Sequence, residues 1–253
     1  MKAWSTLAGT LVATSMLAGC AGNQTQGSGN PADPWEGFNR GVFAFNDTLD
    51  RYALKPVAQG YDYVTPTPVQ QGVGNFFGNL GDVGNTFNSL LQGKLTNAGT
   101  STARFLLNST LGLGGLLDPA SRMGIERHEE DFGQTLASWG VGQGPYLVLP
   151  FLGPSTVRAT AGLPVDWYSD PVTYLEDDKV RWGLRGLDLI DTRAGYLDQE
   201  QLIHGDRYSF IRDTYLQRRQ YLLNDGRPGQ DPFAEGDIDF DDSDFEGSGS
   251  GSQ

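Results

Sequence analysis

Apolar residues recur along this chain at helical spacing. Between Val69 and Gly93 they fall at Val69, Val73, Phe76, Leu80, Val83, Phe87 and Leu90, in alternating steps of four and three. That is the seam of an amphipathic helix, predicted over about 69–91. An earlier stripe of Phe38, Val42, Phe45, Leu49 and Tyr52 has the same steps. Asp33, Pro34 and Glu36 fit its start as cap, first-turn proline and third-position carboxylate. Pro56 should end or bend this helix, and 61–68 reads as a proline-containing connection. A further helix is expected around 98–108. Two ordinary helices close the chain, one on the stripe Val180, Leu184, Leu187, Ile190, Ala194 and Leu197, the other on Tyr208, Ile211, Tyr215 and Leu222. Gly140, Gly142, Gly144, Pro145, Pro150 and Pro154 forbid a regular helix across the intervening stretch. Tyr146–Leu149 has strand length, but we expect a structured apolar loop. The predicted fold class is all-α, without tandem repeats.

Polar residues accompany the central seam at Asn75, Asn79, Asp82, Asn85 and Asn88. Such a stripe must face water, a partner or a polar passage. Within the same span lie Gly72, Gly74, Gly78, Gly81 and Gly84. Each costs a helix interior roughly 0.8–1 kcal/mol relative to alanine in water. Glycine lets helices approach closely, and Gly74-x-x-x-Gly78 has the spacing seen where van der Waals packing drives association in lipid. A tightly packed soluble core and a membrane-adapted one both fit this pattern. From Phe105 to Leu117 there is no charge. Thirteen residues are too few for a span and suit an interfacial or re-entrant piece.

The ends change the picture. Met1 and Lys2 precede a small, apolar run to Ala18, the form of a secretory signal. It ends in Leu17-Ala18-Gly19-Cys20, a lipobox around the only cysteine. Cleavage before Cys20 and acylation there would anchor the chain, at about 0.8 kcal/mol per buried methylene. Ala21, where an aspartate would favour inner-membrane retention, favours the outer membrane. Residues 1–19 are thus read as signal peptide, 20–32 as lipidated tether, 33–225 as one helical domain and 226–253 as a disordered acidic tail. The tail carries eight of the acidic residues, so the body's charge is about −6 of the total −13. No nucleic-acid footprint exists. Asp237, Asp239 and Asp241 imitate the start of a calcium loop, but Asp242 stands where that loop requires glycine, and no metal or other cofactor is expected.

Catalytic motifs are missing. His128 and His204 lie far apart and outside any ligand motif. There is no Gly-x-Ser-x-Gly elbow. Gly72-Val73-Gly74 begins like a dinucleotide loop, but its third glycine, Gly78, comes one place late. Glu129, Glu130 and Asp131 read as a solvated turn.

At "DPWEGFNRGVFAFNDTLD" the sequence begins to resemble the VacJ, or MlaA, family of outer-membrane lipoproteins. The likeness continues through "LKPVAQGY", "VGNFFGNLGDVGNTFNSLLQG", "ARFLLNSTLGLGGLLDPAS", "EDFGQTLASWGVGQGPYLVLPFLGPSTVR" and "DTRAGYLD", from Asp33 to Asn224. It implies a ring-like helical domain, monotopic in the inner leaflet of the outer membrane, with a passage for phospholipid headgroups. It also implies a trimeric porin and a soluble periplasmic lipid carrier as partners, removal of phospholipids misplaced in the outer leaflet, and no catalysis. Matching the family's Phe-Asn-Arg segment places Val42, Phe43, Phe45 and Asn46 near the passage. Gly112, Gly114 and Gly115, with Tyr146 and Pro150, belong to expected flexible or rim elements. The alternatives are a porin-bound structural adaptor without transport of its own and an anchored lipid hydrolase. The absent catalytic motifs weigh against the hydrolase.

Overall fold

The computed structural model describes residues 30–227. The signal peptide, Cys20, most of the tether and the tail beyond Arg227 lie outside the described residues.

The first stripe forms α1 (Glu36–Leu49). A π-helical turn over Asp50–Leu54 follows, and the chain continues as α2 (Lys55–Val64). Pro56 therefore does not end the helix. It has no N–H to give a normal i−4 bond, and the wider π turn just before it absorbs the misfit. The expected connection at 61–68 shrinks accordingly: helix runs through Val64 and resumes at Thr67. Trp35 rather than Asp33 occupies the N-cap of α1. Asp33 is instead buried and accepts from Asn39, Tyr208 and Arg212.

The central seam forms α3 (Thr67–Leu91), close to its expected bounds. It turns through Gly93, at φ +74°, into α4 (Leu95–Thr110). Short helices α5 (Pro119–Arg122) and α6 (Phe132–Ser138) are capped by Asp118 and Asp131. The expected apolar loop is in fact a hairpin. β1 (Tyr146–Leu149) pairs antiparallel with β2 (Gly153–Thr156), Tyr146 facing Thr156 and Leu149 facing Gly153. The structure is thus mostly helical with one hairpin. Thr156 caps α7 (Val157–Ser169). A 3-10 turn (Pro171–Tyr174), α8 (Asp178–Gly195), a second 3-10 turn (Asp198–Leu202) and α9 (Arg207–Leu223) complete it.

Helix α3 is the hub, packing on α4, α6, α7 and α8. Its glycines serve different neighbours, so Gly74 and Gly78 do not form one helix–helix seam. A Cβ at Gly74 would lie 3.5 Å from Asp191 of α8, and one at Gly84 would lie 3.6 Å from Ser169, while Gly81 faces open space. Gly78 receives the Arg127 guanidinium. The sole cluster of fully buried large apolar groups among the described residues sits elsewhere, where Tyr146, Val148 and Tyr208 join the hairpin to α9, with Val42 and Phe43 of α1 against them.

Candidate functional site

The two faces of α3 settle which side of the amphipathic helix points inward. Asn79, Asp82, Asn85, Asn88 and Ser89 are buried, whereas Val69, Phe87 and Leu90 are exposed. The molecule repeats this inversion throughout. Among the described residues, more than twice as many polar and charged residues as apolar ones are buried. A protein folded by withdrawing apolar surface from water shows the opposite balance.

The interior polar groups form two stations along α3. In the first, Arg104 of α4 is completely buried. It forks onto Asp118 at 2.9 and 3.1 Å, donates to Ser121 Oγ at 3.1 Å, and also donates to the Ile125 carbonyl. Its Nε lies 3.5 Å from Asp82 Oδ2. Asn108 donates to Asp118 at 3.0 Å and accepts from Ala120 N–H at 3.1 Å. Burial pushes the Asp118 carboxyl up, but donors from Ser121, Arg104 and Asn108 outweigh it and hold it well below the usual carboxylate range. Asp82 goes the other way: burial raises it against the nearby Arg127 and Arg104.

In the second station, Asn85 accepts from Glu130 N–H at 2.9 Å, and Asn88 accepts from Thr135 at 2.9 Å. Gln92 and Lys94 reach Glu130 at 2.8 and 3.0 Å. Arg219 of α9 forks onto Asp131, and Asp166 accepts from Phe132 N–H at 2.8 Å and from Asn88 at 3.3 Å. The expected solvated turn at Glu129–Asp131 is corrected here. Only Glu129 is exposed; Glu130 is buried and Asp131 caps α6, because α3, the turn that follows it and α9 supply the cations and amides that receive them. The sequence signals for these partners were faint. Arg104 is the last charge before the uncharged run, and Arg219 sits in an ordinary basic stretch.

The expected passage residues fall on one helix and meet the hairpin. Phe43 packs edge-to-face on Tyr208 at 5.5 Å and Phe45 on Phe151 at 5.3 Å. Asn46 donates to the Leu149 carbonyl and accepts from Phe151 N–H, both at 2.9 Å, so it clasps the loop that carries Pro150. Tyr146, expected in a flexible or rim element, opens β1 and is fully buried. In the 112–117 turn the three glycines have different surroundings. A Cβ at Gly112 would collide with the Asn108 and Leu117 carbonyls, and one at Gly115, at φ +94°, would meet the Asn79 side chain, while Gly114 faces open space.

Outside, the surface carries many large apolar groups among its charged and polar ones. Phe38, Tyr52, Leu111, Leu113, Phe151 and Trp182 are among many large apolar groups left exposed. A water-facing surface rarely carries so much. Among the described residues, no helix is long and apolar enough to cross a membrane, and no cluster of His, Cys, Asp or Glu could hold a metal. An open polar cleft of about 520 Å³ lies between α2 and the second 3-10 turn, with Lys55, Asp62 and Glu200 among its walls.

The Escherichia coli (strain K12) intermembrane phospholipid transport system lipoprotein MlaA is 36% identical over 239 residues, covering 90% of this chain and 94% of that protein. The Haemophilus influenzae protein of the same name is 33% identical, covering 88% and 92%. A chain solved in work on the "structural basis for maintenance of bacterial outer membrane lipid asymmetry" superposes with a TM-score of 0.65 at 37% identity, covering 76% of this chain and 99% of that one. The MlaA lipoprotein family model matches residues 31–222, and this chain belongs to the MlaA lipoprotein family.

Proposed function

We propose that this chain is the outer-membrane lipoprotein of a phospholipid transport system. Acyl chains on Cys20 anchor it in the inner leaflet, where the domain sits as a ring-like, monotopic body. It removes phospholipids misplaced in the outer leaflet, working beside a trimeric porin, and hands them to a soluble periplasmic lipid-binding protein. It catalyses no reaction. The names of its relatives, lipoproteins of intermembrane phospholipid transport, support this reading.

The observation that carries it is the buried polar face of α3 beneath an exterior that exposes large apolar groups. A charged headgroup is costly to bury unpaired. A polar track lets it move over amides and charges while its acyl chains stay in hydrocarbon. Val42, Phe43, Phe45 and Asn46 border this passage, with Gly112–Leu117 and the Tyr146–Leu152 hairpin at its rim.

The test is the amount of phospholipid in the outer leaflet of cells lacking the gene, complemented by the wild type, by Cys20→Ala and by Val42→Asp. A rise on deletion, rescued by the wild type alone, supports anchored transport with α1 at the passage. Rescue by Val42→Asp removes α1 from it. No rise on deletion turns the reading towards a structural adaptor.

A further inference from the structure

The exposed large residues change in kind along α3. Near its N-terminal end stands the turn that follows α4. Asn75 donates to the Leu116 carbonyl at 3.2 Å, and a Cβ at Gly72 would lie 3.6 Å from the same oxygen. This turn exposes Leu111, Leu113, Leu116 and Leu117, and it ends the uncharged run from Phe105. Asp62, the α2 carboxylate that Gln70 reaches at this end of α3, lines the polar cleft shared with Lys55 and Glu200.

Twelve residues further along, Gly84 faces Ser169 at the end of α7. Here the exposed rings are Trp167, Tyr168 and Tyr174, with Trp182 of α8 beside them. The patch is exposed yet pinned. Tyr168 and Tyr174 meet edge-to-face at 5.8 Å, and the Tyr174 hydroxyl donates to the Tyr168 carbonyl at 2.7 Å. Thr173 donates to the Trp167 carbonyl at 2.6 Å. Arg181 and Arg185, on either side of Trp182, donate to the Leu175 carbonyl and the Thr173 hydroxyl. Charges stand among the rings: Asp170 pairs with Arg185 at 3.1 Å, and Glu176, Asp177, Asp178 and Lys179 are exposed. Past the C-terminal end of α3 there are ion pairs at the surface, Lys94 with Asp225 and Arg218 with Glu129.

Leucine is favoured and charge disfavoured in hydrocarbon, whereas Trp and Tyr collect at headgroup level, where the ring is apolar-faced and its polar tip wet. Gly72 and Gly84 are about 18 Å apart along the helix axis. One leaflet of hydrocarbon is about 15 Å thick. We propose that Trp167, Tyr168, Tyr174 and Trp182 dock the domain on the phospholipid headgroup layer, with α3 standing across one leaflet and the Leu111–Leu117 turn reaching the bilayer centre. This inference rests on the membrane-lipoprotein reading above and adds the depth and tilt of the domain. The acidic tail then leaves from the wet end, since Asp225 lies at the Lys94 side of the fold.

The test uses the acylated lipoprotein in vesicles of phosphatidylethanolamine and phosphatidylglycerol. Acylated Cys20 has no free thiol, so Leu113→Cys, Val180→Cys and Gln220→Cys each take a single nitroxide label. All three positions are exposed, and Val180 neighbours the rings without replacing one. Collisions with oxygen, relative to those with a water-soluble nickel chelate, measure depth. That ratio should be at least tenfold higher at Leu113→Cys than at Gln220→Cys, with Val180→Cys between them and about 15 Å shallower than Leu113→Cys. A Val180→Cys ratio equal to that of Gln220→Cys puts the rings in water, and one equal to that of Leu113→Cys puts them in hydrocarbon; either overturns the inference. Adding Tyr168→Ser and Trp182→Ser should lower the Leu113→Cys ratio at least threefold, and an unaltered ratio shows that the rings do not hold the domain. Labelling of the parent protein would reveal a free Cys20 and count against the anchor alone. In deletion cells, rescue by the wild type together with a water-like Val180→Cys defeats this inference and leaves the transport reading standing. Failure of the wild type to rescue defeats that reading, and the label depths still decide this one.

Discussion

Asn39 holds Val148 across 109 residues of chain: its side-chain oxygen accepts from the Val148 N–H at 2.9 Å, at a site closed to water. Its amide donates to the Tyr146 carbonyl at 3.0 Å and to Asp33 at 2.8 Å. One side chain thus serves as the missing neighbour strand for β1. Replacing it with alanine leaves two buried backbone groups unpaired, at about 1–3 kcal/mol each. Asn39→Ala should lower unfolding stability in detergent by roughly 2–5 kcal/mol. Asn39→Asp keeps the acceptor but faces Asp33 with a second carboxylate, and at neutral pH it should be at least as unstable. A denaturation midpoint unchanged in both variants would show that the hairpin does not depend on α1.

The contact between Gly115 and Asn79 yields a second prediction. Gly115 has φ +94°, and a Cβ there would sit 2.8 Å from Asn79 Nδ2. Alanine meets both a disfavoured backbone region and a packed side chain, so Gly115→Ala should cost roughly 1–3 kcal/mol. Gly114, at φ +73° with open space around it, carries the backbone term alone and should cost less. Thermal melts of the two variants rank them, and equal losses would mean that the pressure on Asn79 is unimportant.

The sequence made the helices legible where their seams were strict. Val69 to Leu90 steps without a break, and α3 lies almost where that seam puts it. What periodicity could not say was which face turns inward, since an amphipathic stripe has two sides and only the surroundings choose. The hairpin was hidden because Gly153-Pro154-Ser155-Thr156 has no apolar alternation, and its pairing is set by Asn39 and Asn46 from a distant helix. Asp33 misled for the same reason. It has the chemistry of a cap, yet Tyr208 and Arg212 claim it from the far end of the chain. The partners of Glu130 and Asp131 were likewise invisible, because Lys94 and Arg219 come from opposite ends of the fold.

Asp166 makes stability depend on pH. Burial raises its carboxyl to about 6, against an ordinary value of 3.8, despite the N–H of Phe132 and the amide of Asn88. Between those values the folded protein holds a proton that the unfolded chain releases, so stability falls as pH rises. The contribution is fully present below about 3.8 and lost as pH rises through about 6. Glu200 has the opposite sign, with Lys55, Arg207 and Arg193 overcoming burial to hold it at about 2, so its contribution is lost only in strong acid. Over pH 5–8 Asp166 therefore contributes to the slope and Glu200 does not, and the raised carboxyls of Asp82 and Asp188 act with the same sign as Asp166. Wild-type protein should lose roughly 1–2 kcal/mol from pH 5 to pH 8, and Asp166→Asn should reduce that slope. An equal slope in both proteins would assign the dependence elsewhere.

The exposed apolar groups lead to the last prediction. Leu113, at 70% exposure, and Phe151, at 72%, project from two separate turns, each with a backbone φ that leucine and phenylalanine rarely adopt, +54° and +65°. In water such residues would gain nothing from that exposure. Against a bilayer each gains roughly 1.5–3 kcal/mol on burial. Because neither side chain is in the core, Leu113→Asp and Phe151→Asp should leave unfolding in detergent nearly unchanged. Membrane association should suffer instead, most clearly in a Cys20→Ala background where the acyl anchor no longer masks it. Flotation with phospholipid vesicles measures this directly, and each charge should lower the bound fraction at least threefold. Undiminished flotation would mean that these turns lie outside the hydrocarbon.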